Sequence, residues 1–333
     1  MLPLVISMGD PAGIGPEIVA KAWTARHAHD LPPFAVVGDP RAIAAVWNGP
    51  IVEVADLNGS ARVFDSSLPV LVSKSAGAIR PGEPDADGAR SALDALETAT
   101  GLTRSGAARA LVTAPVGKAQ LYQVGFTHPG QTEFVAERCG VSPDNAVMML
   151  AGPSLRVVPI TTHVPLAAVS GLLTAELIVA KARVTARGLT EDFGIAQPRL
   201  AFAGLNPHAG ENGALGREEI EVIEPAIVQL RAEGIDVVGP VAADTMFHAR
   251  ARERYDAAIC CYHDQALVPL KTLHFDEGVN MTLGLPIVRT SPDHGTAFGI
   301  AGRNQAHPGA MIAAIRMADA AAANRQRHIA GNA

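Results

Sequence analysis

Short apolar runs alternate with helical periodicity along the whole chain. Leu4 to Met8, Phe34 to Val37, Ile51 to Val54, Val70 to Val72 and Ala110 to Thr113 are aliphatic stretches bounded by turn residues. That is the pattern of strands buried on both faces. Helical spacing fills Pro16 to His27 and Asp87 to Thr103, and Gly77 to Asp85, rich in Pro and Gly, reads as a loop. Past residue 140 the alternation continues, with strands at Ala146 to Leu150 and Ile235 to Val238 and helices at Ala175 to Arg187, Glu218 to Glu233 and Ala310 to Asn324. Such alternation predicts an α/β fold, two α/β lobes around largely parallel sheets. A chain of 333 residues is long enough to divide. The expected lobes are 1–127 with 303–333, and 128–302.

Three further apolar runs each end on a histidine: Leu155 to His163, Leu200 to His208 and Ala257 to His263. Each begins as a buried strand and then breaks into turn residues. Ligands of open α/β sheets collect beyond the carboxyl ends of the strands, so three imidazoles delivered there can converge. Neutral imidazole is the commonest metal ligand, and three ligands with an open position describe a catalytic site. One such histidine would be read as a strand-end residue satisfied by backbone. Three in the same structural position favour a metal site.

Composition narrows the class. The chain is 48% hydrophobic and 18% charged, with a net charge of −6. No broad basic face is expected for nucleic acid or an anionic membrane, and an anionic substrate must be held by local cations and helix N-termini. Cys139, Cys260 and Cys261 form no CxxC pair and read as small buried hydrophobes. Neither a signal peptide nor a run of ~18 apolar residues is found, so a cytoplasmic enzyme is expected.

Several motifs carry candidate chemistry. The turn Met8 to Glu17 (MGDPAGIGPE) follows a strand and opens a helix, with Pro16 at the helix start and Glu17 at the positive end of its dipole. It lacks the dinucleotide spacing and reads equally as a structural turn or a ligand contact. Thr113 to Lys118 (TAPVGK) is no nucleotide-phosphate loop, because Val112 and Ala119 stand where Gly and Ser/Thr are needed. Gly130-Gln131-Thr132-Glu133 breaks before a helix at Phe134 to Cys139, where Gln131 and Thr132 can add donors to a bound anion; Thr132 is alternatively an N-cap. Arg289 lies in an apolar segment and needs a carboxylate or an anionic ligand. Lys271 is a surface lysine by base rate, but its place one predicted helix after the His263 loop favours the cleft.

Taken in order, GDPAGIGPE, TAPVGK, GQTEF, TTHVPL, NPHAGENG, YHDQ, GVNMTLGLPIVRTS and DHGTA resemble the 4-hydroxythreonine-4-phosphate dehydrogenase family of vitamin B6 biosynthesis. The matches span nearly the whole chain. The resemblance implies the isocitrate/isopropylmalate dehydrogenase-like fold, with the active site in the interlobe cleft. It also implies NAD- or NADP-dependent oxidation of 4-phosphooxy-L-threonine at C3, followed by decarboxylation. It further implies a homodimer with shared active sites and one divalent metal in each, Zn, Co, Ni or Mg. Carried over by position, the metal ligands are His163, His208 and His263, and the substrate contacts are Gln131, Thr132, Lys271, Asn280 and Arg289. Many members have His where this chain has Gln131, which can donate a hydrogen bond but cannot carry charge. Lys271, Asp244 and Asp264 are candidates for proton transfer, and either aspartate can instead orient a ligand. The loop Asp293 to Gly302 is the expected cofactor loop, with His294, Gly295, Thr296 and Ala297 nearest the adenine. The rivals are a sister dehydrogenase acting on threonate 4-phosphate or a cis-dihydrodiol, a zinc hydrolase, and a non-catalytic metabolite-binding protein.

Overall fold

The computed structural model describes residues 2–331, and the chain falls into two compact units. The first is Met1–Gly140 with Pro286–Ala323; the second is Val141–Leu285 with Asn324–Ala333. Residues 128–140 and 286–302, expected in the second lobe, group with the first unit instead, and the helix residues from Asn324, expected in the first lobe, group with the second. Strand pairing explains part of this: Arg289–Pro292 lies in parallel register beside Leu111–Thr113, with Arg289 opposite Leu111.

In the first unit, strands β1 (Leu4–Ser7), β2 (Phe34–Gly38), β3 (Ile51–Val54), β4 (Leu68–Val72) and β5 (Leu111–Thr113) run in the order β3-β4-β2-β1-β5, followed by the strand Arg289–Pro292. Every pairing is parallel. β1 and β2 are buried at every position, which is why their sequences read as unbroken apolar runs and not as alternation. The following helices start where the sequence supplies caps. Asp85 Oδ1, for example, accepts from the Gly88 amide at 2.7 Å to open the helix Ala86–Arg104.

The second unit contains β6 (Val147–Gly152), β7 (Leu155–Pro159), β8 (Arg199–Ala203), β9 (Asp236–Val241), β10 (Ala257–Cys260) and β11 (Val279–Leu283), in the order β11-β6-β7-β10-β8-β9. Only Pro153 and Ser154 separate β6 from β7, too few for a crossover, so that pair is antiparallel, as is β11 with β6. The remaining strands are parallel. Each unit is thus α/β, and parallel pairing dominates, as expected. The helix His263–His274 buries Ala266 and Leu270, one turn apart, in a cluster with Val157, Ala201, Ala258 and Cys260. That packing fixes the direction in which the helix start points.

The helix expected over Glu218 to Glu233 is a wide π turn, Glu219–Ile223, followed by an α-helix, Glu224–Ala232. Pro225 accounts for the break, since it lacks the amide that an α turn would direct to Glu221. Cys260 and Cys261 are free and buried. No helix among the described residues is long and apolar enough to cross a membrane.

Candidate active site

β7 and β10 are adjacent and parallel, and their pairing continues past their ends: the Ile160 amide donates to Cys260 O at 2.8 Å, and Thr161 Oγ1 donates to Cys261 O at 2.8 Å. The two strands therefore deliver His163 and His263 side by side, with ring centroids 5.7 Å apart. A cavity of about 250 Å³ lies there, lined by Thr162, His163, Val164, Tyr262, His263 and Asp264 among others. His263 is the first residue of its helix, and its Nδ1 lies 2.7 Å from Asp264 Oδ1. Asp264 therefore holds the ring through Nδ1 and leaves Nε2 as the nitrogen for another partner. Burial, then the neighbouring Cys261 and Asp264, push the Tyr262 phenol up, keeping it a neutral hydrogen-bond donor. Gln265 ties this end together: its Oε1 accepts from the Cys261 amide at 2.6 Å and its Nε2 donates to Gly204 O at 2.8 Å, beyond β8. Sequence reasoning missed Gln265, although Gln at the third helical position is itself a capping signal.

His208 is presented differently. It lies past the end of β8 in the turn Pro207–Gly213, where five consecutive residues, His208 to Asn212, have positive φ between 45° and 79°. Four of them are not glycine, and left-handed backbone costs roughly 1–2 kcal/mol for each such residue. The imidazole is 67% exposed, with Nδ1 3.2 Å from Glu211 Oε2. Among the described residues no group of three or more His, Cys, Asp or Glu side chains is placed to hold one ion. One chain therefore brings together His163 and His263, and the expected convergence of all three imidazoles does not occur within it. The short helix Ala243–Met246 packs against the His208 turn, and its Asp244 is exposed.

The first unit holds a separate cluster. Arg289, 2% exposed, donates through Nη2 to Thr113 Oγ1 at 2.7 Å and through Nη1 to Thr132 Oγ1 at 3.2 Å. Burial pushes its pKa down to about 10, opposed by nearby Glu133, so it stays charged at neutral pH with much of its hydration lost. The helix beside it begins at Gln131, three residues earlier than expected, and Thr132 is inside its first turn. Its N-cap is Gly130, which corrects the N-cap alternative for Thr132 and leaves the first amides with no side-chain acceptor. Gln131 donates through Nε2 to Ala114 O at 3.3 Å, and its buried Oε1 has no hydrogen-bond partner among the described residues. A side chain at Gly130 would lie 3.6 Å from Lys118 Nζ. The segment TAPVGK, to which sequence reasoning gave no role, thus supplies Thr113, Ala114 and Lys118 to this cluster. Together a buried guanidinium, two hydroxyls and a helix N-terminus, beside the Glu133 carboxylate, gather the donors that an anion would need.

Lys271 sits within the helix opened by His263, two turns on, and not after it; Nζ lies over the Phe275 ring. Asn280, on β11, is half-buried, and its buried Oδ1 has no hydrogen-bond partner among the described residues. In the first unit, His294 Nδ1 lies 3.1 Å from Gly295 O, and Thr296 O accepts from the Ile14 amide at 3.0 Å. Ala297 is left-handed. The far end of this loop is held by the helix Gly15–Thr24: Glu17 Oε1 accepts from the Ala306 amide at 2.9 Å, and Lys21 Nζ donates to Ala306 O at 2.8 Å. Glu17 is therefore a buried anchor as well as a dipole partner. The glycines of the first turn serve the protein's own packing: a Cβ at Gly9 would lie 2.3 Å from Pro115 O, and one at Gly13 3.2 Å from Thr296 Cβ. That favours the structural reading of the turn.

Known proteins share this arrangement of the chain. The family described as "Pyridoxal phosphate biosynthetic protein PdxA" matches residues 30–318. The 4-hydroxythreonine-4-phosphate dehydrogenase of Zymomonas mobilis is 58% identical over 328 residues, covering 98% of each chain. A crystal structure of the enzyme of that name from Klebsiella pneumoniae superposes with a TM-score of 0.86 at 36% identity, covering 96% of this chain and 98% of that one. A terephthalate 1,2-cis-dihydrodiol dehydrogenase from Burkholderia xenovorans gives 0.64 at 29% identity, covering 96% and 98%. The chain belongs to the PdxA family, the 4-hydroxythreonine-4-phosphate dehydrogenases of pyridoxal phosphate biosynthesis.

Proposed function

We propose that this oxidoreductase oxidises the C3 hydroxyl of 4-phosphooxy-L-threonine with NAD or NADP, giving 2-amino-3-oxo-4-phosphooxybutanoate. This β-keto acid then loses carbon dioxide to yield 3-amino-2-oxopropyl phosphate. The observation that carries the reading is the Arg289 cluster, an anion site of the kind a phosphate monoester fills. Arg289, Thr113 and Thr132 would hold the phosphate. Gln131 Oε1 would accept from a donor on the substrate, and Asn280 and Lys271 would make further polar contacts.

The donor chemistry fits a borderline divalent ion such as Zn²⁺, Co²⁺ or Ni²⁺ better than Mg²⁺, which prefers oxygen ligands. His163 and His263 are neighbours, and Asp264 at Nδ1 leaves Nε2 of His263 to bind. The third imidazole would be His208 from a second copy of the chain, which is why a homodimer is part of the reading. Exposed Val164, Leu166 and Leu172, just beyond His163, offer apolar surface for that second copy. When bound, such an ion lowers the cost of the negative charge that develops on the substrate oxygen. Asp264 orients His263, so Lys271 Nζ and the Asp244 carboxylate are the proton acceptors to separate by Lys271→Met and Asp244→Asn. For the cofactor, His294, Gly295 and Ala297 are exposed and Thr296 is half-buried, and a side chain at Gly295 would meet nothing within 4 Å. The enzyme would work in the cytoplasm.

The test is NAD- or NADP-linked turnover of 4-phosphooxy-L-threonine, repeated after chelation and beside threonate 4-phosphate and a cis-dihydrodiol. Metal-dependent turnover of the first compound is expected. Brisk turnover of either other compound with none of the first would replace the substrate assignment.

A further inference from the structure

Glu219, in the π turn of the second unit, is a carboxylate only 1% exposed. Among the described residues it has no cationic partner. Its Oε1 accepts from the Asn206 amide at 2.7 Å and its Oε2 from Asn206 Nδ2 at 3.0 Å. The preceding Glu218 also accepts from Asn206 Nδ2, at 2.8 Å. Consecutive helical residues do not normally face one target, yet both acids converge on this amide. Asn206 is the residue immediately before the left-handed turn that carries His208. The same carboxylate also touches the turn's middle, since a Cβ at Gly210 would lie 2.6 Å from Glu219 Oε2 and 3.0 Å from Gly216 O.

A buried charge devoted to a single loop residue, beside a run of unfavourable backbone, is a clamp over-determining a strained segment. We propose that Glu219, acting through Asn206, is the positioning residue that holds the left-handed turn and so sets where His208 points. The inference rests on reading His208 as a metal ligand. Glu219 touches neither substrate nor ion; its effect passes through the backbone of residues 206–212. Without the clamp the turn relaxes toward ordinary backbone, and the imbalance falls on metal affinity.

The experiment is titration of the metal-free full-length protein with Co²⁺, read by its visible absorption, alongside circular dichroism. Glu219→Gln removes one of the two acceptors that Glu219 offers Asn206. It is expected to weaken Co²⁺ binding roughly 10- to 100-fold, the usual effect of losing a group that orients a ligand. The spectrum at saturation should match wild type, because the ligands are unchanged. Asn206→Ala should act in the same direction, and it keeps the test decisive if Glu219→Gln does not fold. His208→Ala, which deletes the ligand, should change the saturated spectrum itself. A purely structural role would lower the melting temperature but leave the Co²⁺ affinity of the folded protein at the wild-type value, and that result overturns the proposal. His208→Ala with wild-type affinity and spectrum would instead remove the ligand reading, and the proposal with it.

Discussion

His263 and His208 follow neighbouring parallel strands of one unit, and the protein presents them by opposite means. His263 starts a regular helix seated on the sheet by Ala266 and Leu270, with Gln265 lacing the strand ends and Asp264 fixing the ring. His208 stands on five residues of left-handed backbone, kept in place by a buried carboxylate on a separate element. The first presentation uses favourable geometry at every step. The second spends several kcal/mol of local strain, and among the described residues its imidazole forms no metal-binding group with the His163–His263 pair. The difference teaches that an imidazole set on regular structure needs no strained backbone beneath it, whereas one carried on a loop depends on contacts from another element to hold that backbone.

Mixing two defective chains tests this contrast most directly. His208→Ala and His263→Ala are each expected to lose more than ~100-fold of turnover, beyond the loss typical of an orienting group. Co-expressed, they should recover about a quarter of wild-type activity, since half the dimers are mixed and each mixed dimer has one intact site. No recovery would mean that all three ligands come from one chain. A smaller effect is expected from Arg289→Ala, which should raise KM for the phosphorylated substrate roughly 10- to 100-fold. Its Co²⁺ titration should match wild type, marking the anion cluster as independent of both histidine presentations. The smallest effect comes from Gly210→Ala, which forces a side chain against Glu219 at φ +79°. It should cost ~1–3 kcal/mol in chemical denaturation and weaken Co²⁺ binding, whereas Ala266→Gly, on the His263 side, should lower stability with Co²⁺ affinity retained.

Legibility followed the physics. β1, β2 and β10 could be read directly because burial on both faces demands apolar residues at every position. His163 and His263 were legible for the same reason, as the histidines that close the short turns following such strands. The turn around His208 was not, because His, Ala, Glu and Asn do not announce positive φ; only Gly210 and Gly213 hint at it. Thr132 looked like a cap because the sequence does not disclose that Gly130 takes that place, freeing the hydroxyl for Arg289. The lobe limits were misplaced because Arg289–Pro292 joins the first unit through pairing with β5, a contact from far along the chain.

The lacing of Ala306 to Glu17, residues 289 positions apart, bears on how the protein is made. The first unit takes its last strand and the anchor of its long loop from residues that follow the second unit's main segment in the chain. Most of the second unit is emitted as one uninterrupted piece, Val141–Leu285. Under vectorial synthesis the second unit can therefore mature while the first waits, half-built, for the strand Arg289–Pro292 and for Ala306.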